Sequence, residues 1–157
     1  MKQIDETGIK LCSIQGNIFT QSVNLDCSSA IFIRRFMYSD FAKHLDEGNF
    51  FSESYNTTDI CLKEINEEYK SKKYGKLKYG YEELYWIGYI YRYFCYTQEK
   101  TSKYVFKIIQ SKEMKELYFP YHSLDTKQVV ERILESKNIK NMDLISKGVE
   151  IYRNIKN

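Results

Sequence analysis

The sequence predicts an all-α fold, a single compact bundle of six or seven helices over residues 1–157, centred on an aromatic helix at about 81–98. Three observations predict it. The run from Tyr81 to Gln98 is not polar over the whole length of any face of a helical wheel, the pattern of a helix surrounded by other elements. That run is far longer than a strand and lacks period-two alternation. Ser, Thr or Asp side chains also stand ahead of most other apolar-periodic segments, where a helix needs acceptors for its first N–H groups.

Length and composition bound the rest. A chain of 157 residues can bury one core, and 43% hydrophobic with 29% charged residues is ordinary for a globular domain. Aromatics reach 16%, an unusual load, so a core threaded with tyrosine hydroxyls and their hydrogen bonds is expected. The net charge of +3 is too small to imply nucleic acid by itself. Cys12, Cys27, Cys61 and Cys95 form no CxxC pair and read as reduced core thiols, with neither a zinc site nor any cofactor implied. No N-terminal apolar segment suggests a signal peptide, and the 81–98 run, dominated by tyrosine and interrupted by Arg92, does not read as a membrane span. A cytoplasmic protein is expected.

Taken in order, Ile9, Leu11, Ile14, Ile18 and Phe19 place a first helix at roughly 8–22, weakened by Gly8 and Gly16. Ser28 and Ser29 can cap a second helix running to about Asp46, with Ile33, Phe36, Met37, Phe41 and Leu45 on one face and Gly48 as its stop. Residues 49–56 read as a polar loop. Thr57 and Thr58 open a third helix whose apolar face is Ile60, Cys61, Ile65 and Tyr69. Glu82 and Glu83 then sit in the first turn of the central helix, where negative charge is favourable. Thr101 and Ser102 cap a short helix over 103–110, although its β-branched and aromatic density would also suit a strand. Another turn follows Ser111. Pro120 is expected to end it and to hold Phe119 extended. Asp125 to Gln128 fits a capping box for a helix with Val129, Val130, Ile133 and Leu134 inward. A last amphipathic helix is expected at about 142–153.

Candidate functional residues fall into four groups. Arg92, inside an apolar run, is either a structural cation paired with a carboxylate or an anchor for an anion or partner. Arg34 and Arg35 form either a solvated face or a docking surface for an acidic partner. Residues 69–80 interleave Lys72, Lys73 and Lys76 with Tyr69, Tyr74 and Tyr79; such a segment can grip a phosphate backbone, meet an acidic protein surface, or stand as a solvated loop. His122, beside Tyr121 and Asp125, is the best general-base candidate by residue type, yet no nucleophile or second metal ligand stands near it in sequence. The Arg35 to His44 spacing does not match the Arg–x4–6–His pattern of helical HEPN-type ribonucleases.

The segments Phe32-Ile33-Arg34-Arg35-Phe36-Met37, Tyr85 to Tyr93 and Tyr121-His122-Ser123-Leu124-Asp125 together resemble small Firmicute-type proteins of toxin–antitoxin or mobile-element gene pairs. The resemblance covers about residues 28–136 and implies the antitoxin side of such a pair. It implies no catalytic residue.

The resulting expectation is a non-enzymatic module that neutralises a protein partner, a toxin encoded nearby, by stoichiometric binding. Its contacts would be Arg34, Arg35, Lys72, Lys73, Tyr74, Lys76 and Arg92. A nucleic-acid-binding regulator using 69–80 is the alternative, and an enzyme centred on Arg92 and His122 comes third.

Overall fold

The structure, a computed structural model, describes residues 1–48, 57–69 and 75–139. Among them are eight α-helices, one short 3-10 turn and no strand. The chain divides into two compact units, Met1–Ser123 and one beginning at Leu124. The expected helix at 142–153 and the loop at 49–56 lie outside the described residues.

The first unit is built on helices α1 (Glu6–Gln21) and α5 (Tyr81–Gln98), which pack against each other along most of their length. Two glycines permit the approach. A Cβ on Gly88 would lie 2.7 Å from the Gln15 carbonyl oxygen, and one on Gly16 would lie 2.8 Å from the Tyr85 ring. The sequence feature that weakens α1 as an isolated helix is therefore what lets it dock. Phe19 of α1 meets Phe32, Phe36 and Tyr91 in edge-on and tilted ring contacts, the aromatic centre of this unit. The Tyr91 hydroxyl, fully buried, donates to the Ile109 carbonyl at 2.8 Å.

The expected second helix is two helices, α2 (Ser29–Met37) and α3 (Asp40–Asp46). Ser28 caps α2 by accepting from the Ile31 N–H. Ser39 then caps α3 by accepting from the Ala42 N–H and donates its own proton to the Phe36 carbonyl. A serine in mid-pattern competes with the helical ladder and here wins, because it closes one helix while opening the next. Helix α4 (Thr57–Glu68) buries Cys61 and Ile65 but leaves Ile60 exposed, so its apolar face is narrower than expected.

Helix α5 also differs from the reading of a helix buried all round. Tyr81 and Tyr85 at its start are exposed, and continuous burial runs only from Ile90 to Cys95. It ends in the left-handed Glu99. Helix α6 (Ser102–Ile108) follows, not a strand; Thr101 caps it and Val105 and Phe106 face inward. Helix α7 (Ser111–Tyr121) passes through Pro120, contrary to the expected break. Pro120 sits one residue before the helix end, and the turn closes with the His122 N–H on the Tyr118 carbonyl at 2.8 Å. The missing proline N–H thus costs one bond in the final turn, where little helix remains to disrupt.

Helix α8 (Thr126–Ser136) belongs to the second unit. Val129, Val130, Ile133 and Leu134 are buried, as their spacing predicts. Asp125 caps it through the Lys127 N–H rather than through Gln128, so half of the expected capping box is replaced by a tighter turn.

Candidate partner-binding surface

Arg92 is where internal and external chemistry separate. Its side chain is 2% exposed. Nε donates to Gln15 Oε1 at 2.7 Å, Nη1 to Asp46 Oδ1 at 2.6 Å, and Nη2 to Ser102 Oγ at 2.8 Å. One guanidinium therefore ties α5 to α1, to the end of α3 and to the start of α6. Asp46 is equally committed: Oδ1 also accepts from Ser102 Oγ at 2.7 Å, and Oδ2 accepts the Ser102 backbone N–H at 2.8 Å. That last bond satisfies an orphan donor in the first turn of α6. A buried ion pair offsets its desolvation only with such complete hydrogen bonding. The guanidinium is buried and paired with a carboxylate, the arrangement that a structural cation requires.

A cleft of about 420 Å³ opens beside this pair. Its lining includes the cations Lys2, Arg92 and Lys100 and the acids Asp46, Glu47 and Glu99, so it presents no net charge to a ligand. His122 does not line it. Instead the His122 ring stacks on Tyr118 with centroids 4.8 Å apart, and Nδ1 lies 2.9 Å from the Tyr118 carbonyl. The structure gives Arg92 and His122 separate neighbourhoods. Burial pushes Cys12 and Cys95 up to about 12 and raises Cys61 as well, which disfavours the thiolate at these three positions. Among the described residues no group of three or more His, Cys, Asp or Glu side chains is placed to hold a metal ion.

The other sequence candidates are distributed over the surface. Arg34 is exposed on α2, but Arg35 lies with its guanidinium 4.9 Å from the centre of the Tyr69 ring, tying α2 to the end of α4. The adjacent arginines thus do not form one solvated pair. Lys72, Lys73 and Tyr74 lie outside the described residues, and Lys76 is exposed. Residues 77–79 of the basic–aromatic segment are anchored. The Ser29 N–H donates to the Leu77 carbonyl, the Tyr79 N–H donates to Ser29 Oγ, and Lys78 Nζ donates to the carbonyls of Leu25 and Cys27. Residues 77–79 are therefore a strap across the start of α2, and Tyr79 is buried.

Sequence reasoning missed a second group of cations over rings. Lys103 Nζ lies 5.4 Å from the centre of the Tyr38 ring, and Lys100 Nζ lies 5.8 Å from that of Tyr104. Tyr38 also meets Phe106 edge-on. The available signal was Lys103 and Lys107, four apart and hence on one face of α6. The pairing of Lys103 with Tyr38 joins distant parts of the chain and has no local signature.

No helix among the described residues is long and apolar enough to cross a membrane. Set against protein-family models, curated proteins and solved structures, the chain matches none.

Proposed function

We propose that this protein is a non-catalytic binding module that acts by forming a stoichiometric complex with a protein partner and covering that partner's site. In the gene-pair setting suggested by the resemblance over residues 28–136, the partner is a toxin and this chain its cytoplasmic neutraliser. The observation that carries the reading is the density of cations held over aromatic faces. Five such pairs occur among the described residues, through Lys2, Arg35, Lys100, Lys103 and Lys115. About one per 70–80 residues is common in proteins. A cation already seated on a ring gives up less side-chain freedom when a partner arrives, which lowers the cost of association.

Affinity copurification of the tagged protein from its native host, with and without nuclease and at high salt, tests this. A protein retained at one-to-one ratio through both treatments is the expected result. Material lost entirely on nuclease treatment would transfer the function to nucleic acid and to the basic–aromatic segment at 69–80.

A further inference from the structure

We infer that the face shared by α2 and α6 is the contact surface and that its occupant is an acidic segment of the partner protein. This rests on the protein-binding reading above and narrows it. The face carries Arg34 and Tyr38, one helical turn apart on α2, and Lys103, Tyr104 and Lys107 on α6. Arg34, Tyr38, Lys103, Tyr104 and Lys107 are exposed. The two helices pack together, and the Lys103–Tyr38 and Tyr38–Phe106 contacts make the face continuous.

Charge accounting selects the occupant. Elsewhere Lys43, Lys63, Lys115 and Lys127 each have a carboxylate within 4.0 Å, while the dispersed Lys2, Lys10, Lys76 and Lys112 have none among the described residues. Among the described residues, Arg34, Lys103 and Lys107 form no ion pair. Three cations of one sign lie on this face with no carboxylate within 4.0 Å among the described residues, and such a field attracts and orients an acidic surface. Ring geometry argues for carboxylates over nucleic acid. Bases stack on open aromatic faces, whereas Tyr38 has Lys103 over its face and Phe106 at its edge. Lys103, lying over the Tyr38 ring, remains able to donate outward to carboxylate oxygens.

The test measures binding of a fluorescent Glu/Asp-rich peptide to the full-length protein by anisotropy, with a single-stranded thymidine oligonucleotide of similar charge as the second probe. The variant Lys103→Glu/Lys107→Glu is compared with Lys10→Glu/Lys63→Glu, which makes the same charge change at exposed sites on α1 and α4. The face variant should weaken peptide binding by about tenfold or more and the control by under about twofold, with affinity falling as salt rises. Equal losses in both variants, or no peptide binding, would overturn the assignment of this face. Tighter oligonucleotide binding, lost only in the face variant, would overturn the acidic-protein occupant. The two readings fail separately: a copurified protein retained at full yield by Lys103→Glu/Lys107→Glu would remove this face and leave the binding module standing, whereas absence of any protein partner would remove both.

Discussion

Arg92 and Lys103 are both cations on helices, and the molecule uses them in opposite ways. Arg92 is enclosed, and each of its nitrogens meets an oxygen from a different helix. Lys103 is exposed, seated over a tyrosine ring, with no carboxylate partner among the described residues. The interior cation is saturated by its own chain and so holds the fold. The exterior one is positioned but unneutralised, and so has charge to offer. The sequence singles out Arg92 because it interrupts an apolar run, yet that interruption marks structure; the residues suited to a partner look unremarkable in the one-dimensional pattern.

This contrast predicts graded effects. The largest belongs to Arg92→Met, which leaves Asp46 buried without its counter-ion and should cost about 3–5 kcal/mol in urea denaturation. Adding Asp46→Asn should recover part of that loss, since an amide oxygen can still accept the Ser102 N–H without burying a charge. A cost under about 1 kcal/mol for Arg92→Met would mean that the network is not formed in solution. Next comes Gly88→Ala. Its helix propensity gain of about 1 kcal/mol opposes a backbone collision with Gln15, a kind of overpacking that costs about 1–3 kcal/mol. Net destabilisation is expected, and a more stable variant would show that α1 and α5 are further apart. Ser39→Ala should cost about 1 kcal/mol by uncapping α3. Lys103→Ala should change stability by less than about 0.5 kcal/mol, as befits an exposed side chain, while weakening acidic-peptide binding.

The smallest effect depends on pH. Asp5 accepts the Tyr96 hydroxyl at 2.6 Å and the Gly8 N–H at 2.8 Å. These bonds hold its carboxyl below the ordinary carboxylate value, and the first of them also pushes Tyr96 up to about 12. A lowered carboxyl stabilises the fold above its unfolded-state pKa, and that contribution is lost as pH falls through the folded value. The stability gap between the wild type and Asp5→Asn should therefore be present at neutral pH and close in acid. A gap that widens in acid would contradict this sign.

The parts of the fold legible in sequence were those written locally. Ser28, Thr101 and Asp125 announced helix starts, and the 81–98 run announced a helix at the centre. The split at Ser39 was harder, because Ile33 to Leu45 keep helical spacing across it and only the serine hydroxyl decides between one helix and two. Pro120 was overread, since a proline in a last turn removes little. For the candidate surface, Arg34 was legible by type. Tyr38 and Lys103 were not, because their significance comes from α2 and α6 lying side by side, a long-range fact. Lys78 and Tyr79 carried the right residue types for a binding loop, but backbone bonds to α2 commit them to structure.

The central claim is that Arg92 supports the fold from within while binding takes place outside. The most direct measurement is partner retention by Arg92→Met/Asp46→Asn in copurification, with circular dichroism confirming that the variant is folded. The account predicts undiminished retention by the folded variant. A folded variant that no longer holds its partner would place Arg92 in the binding site and contradict the account.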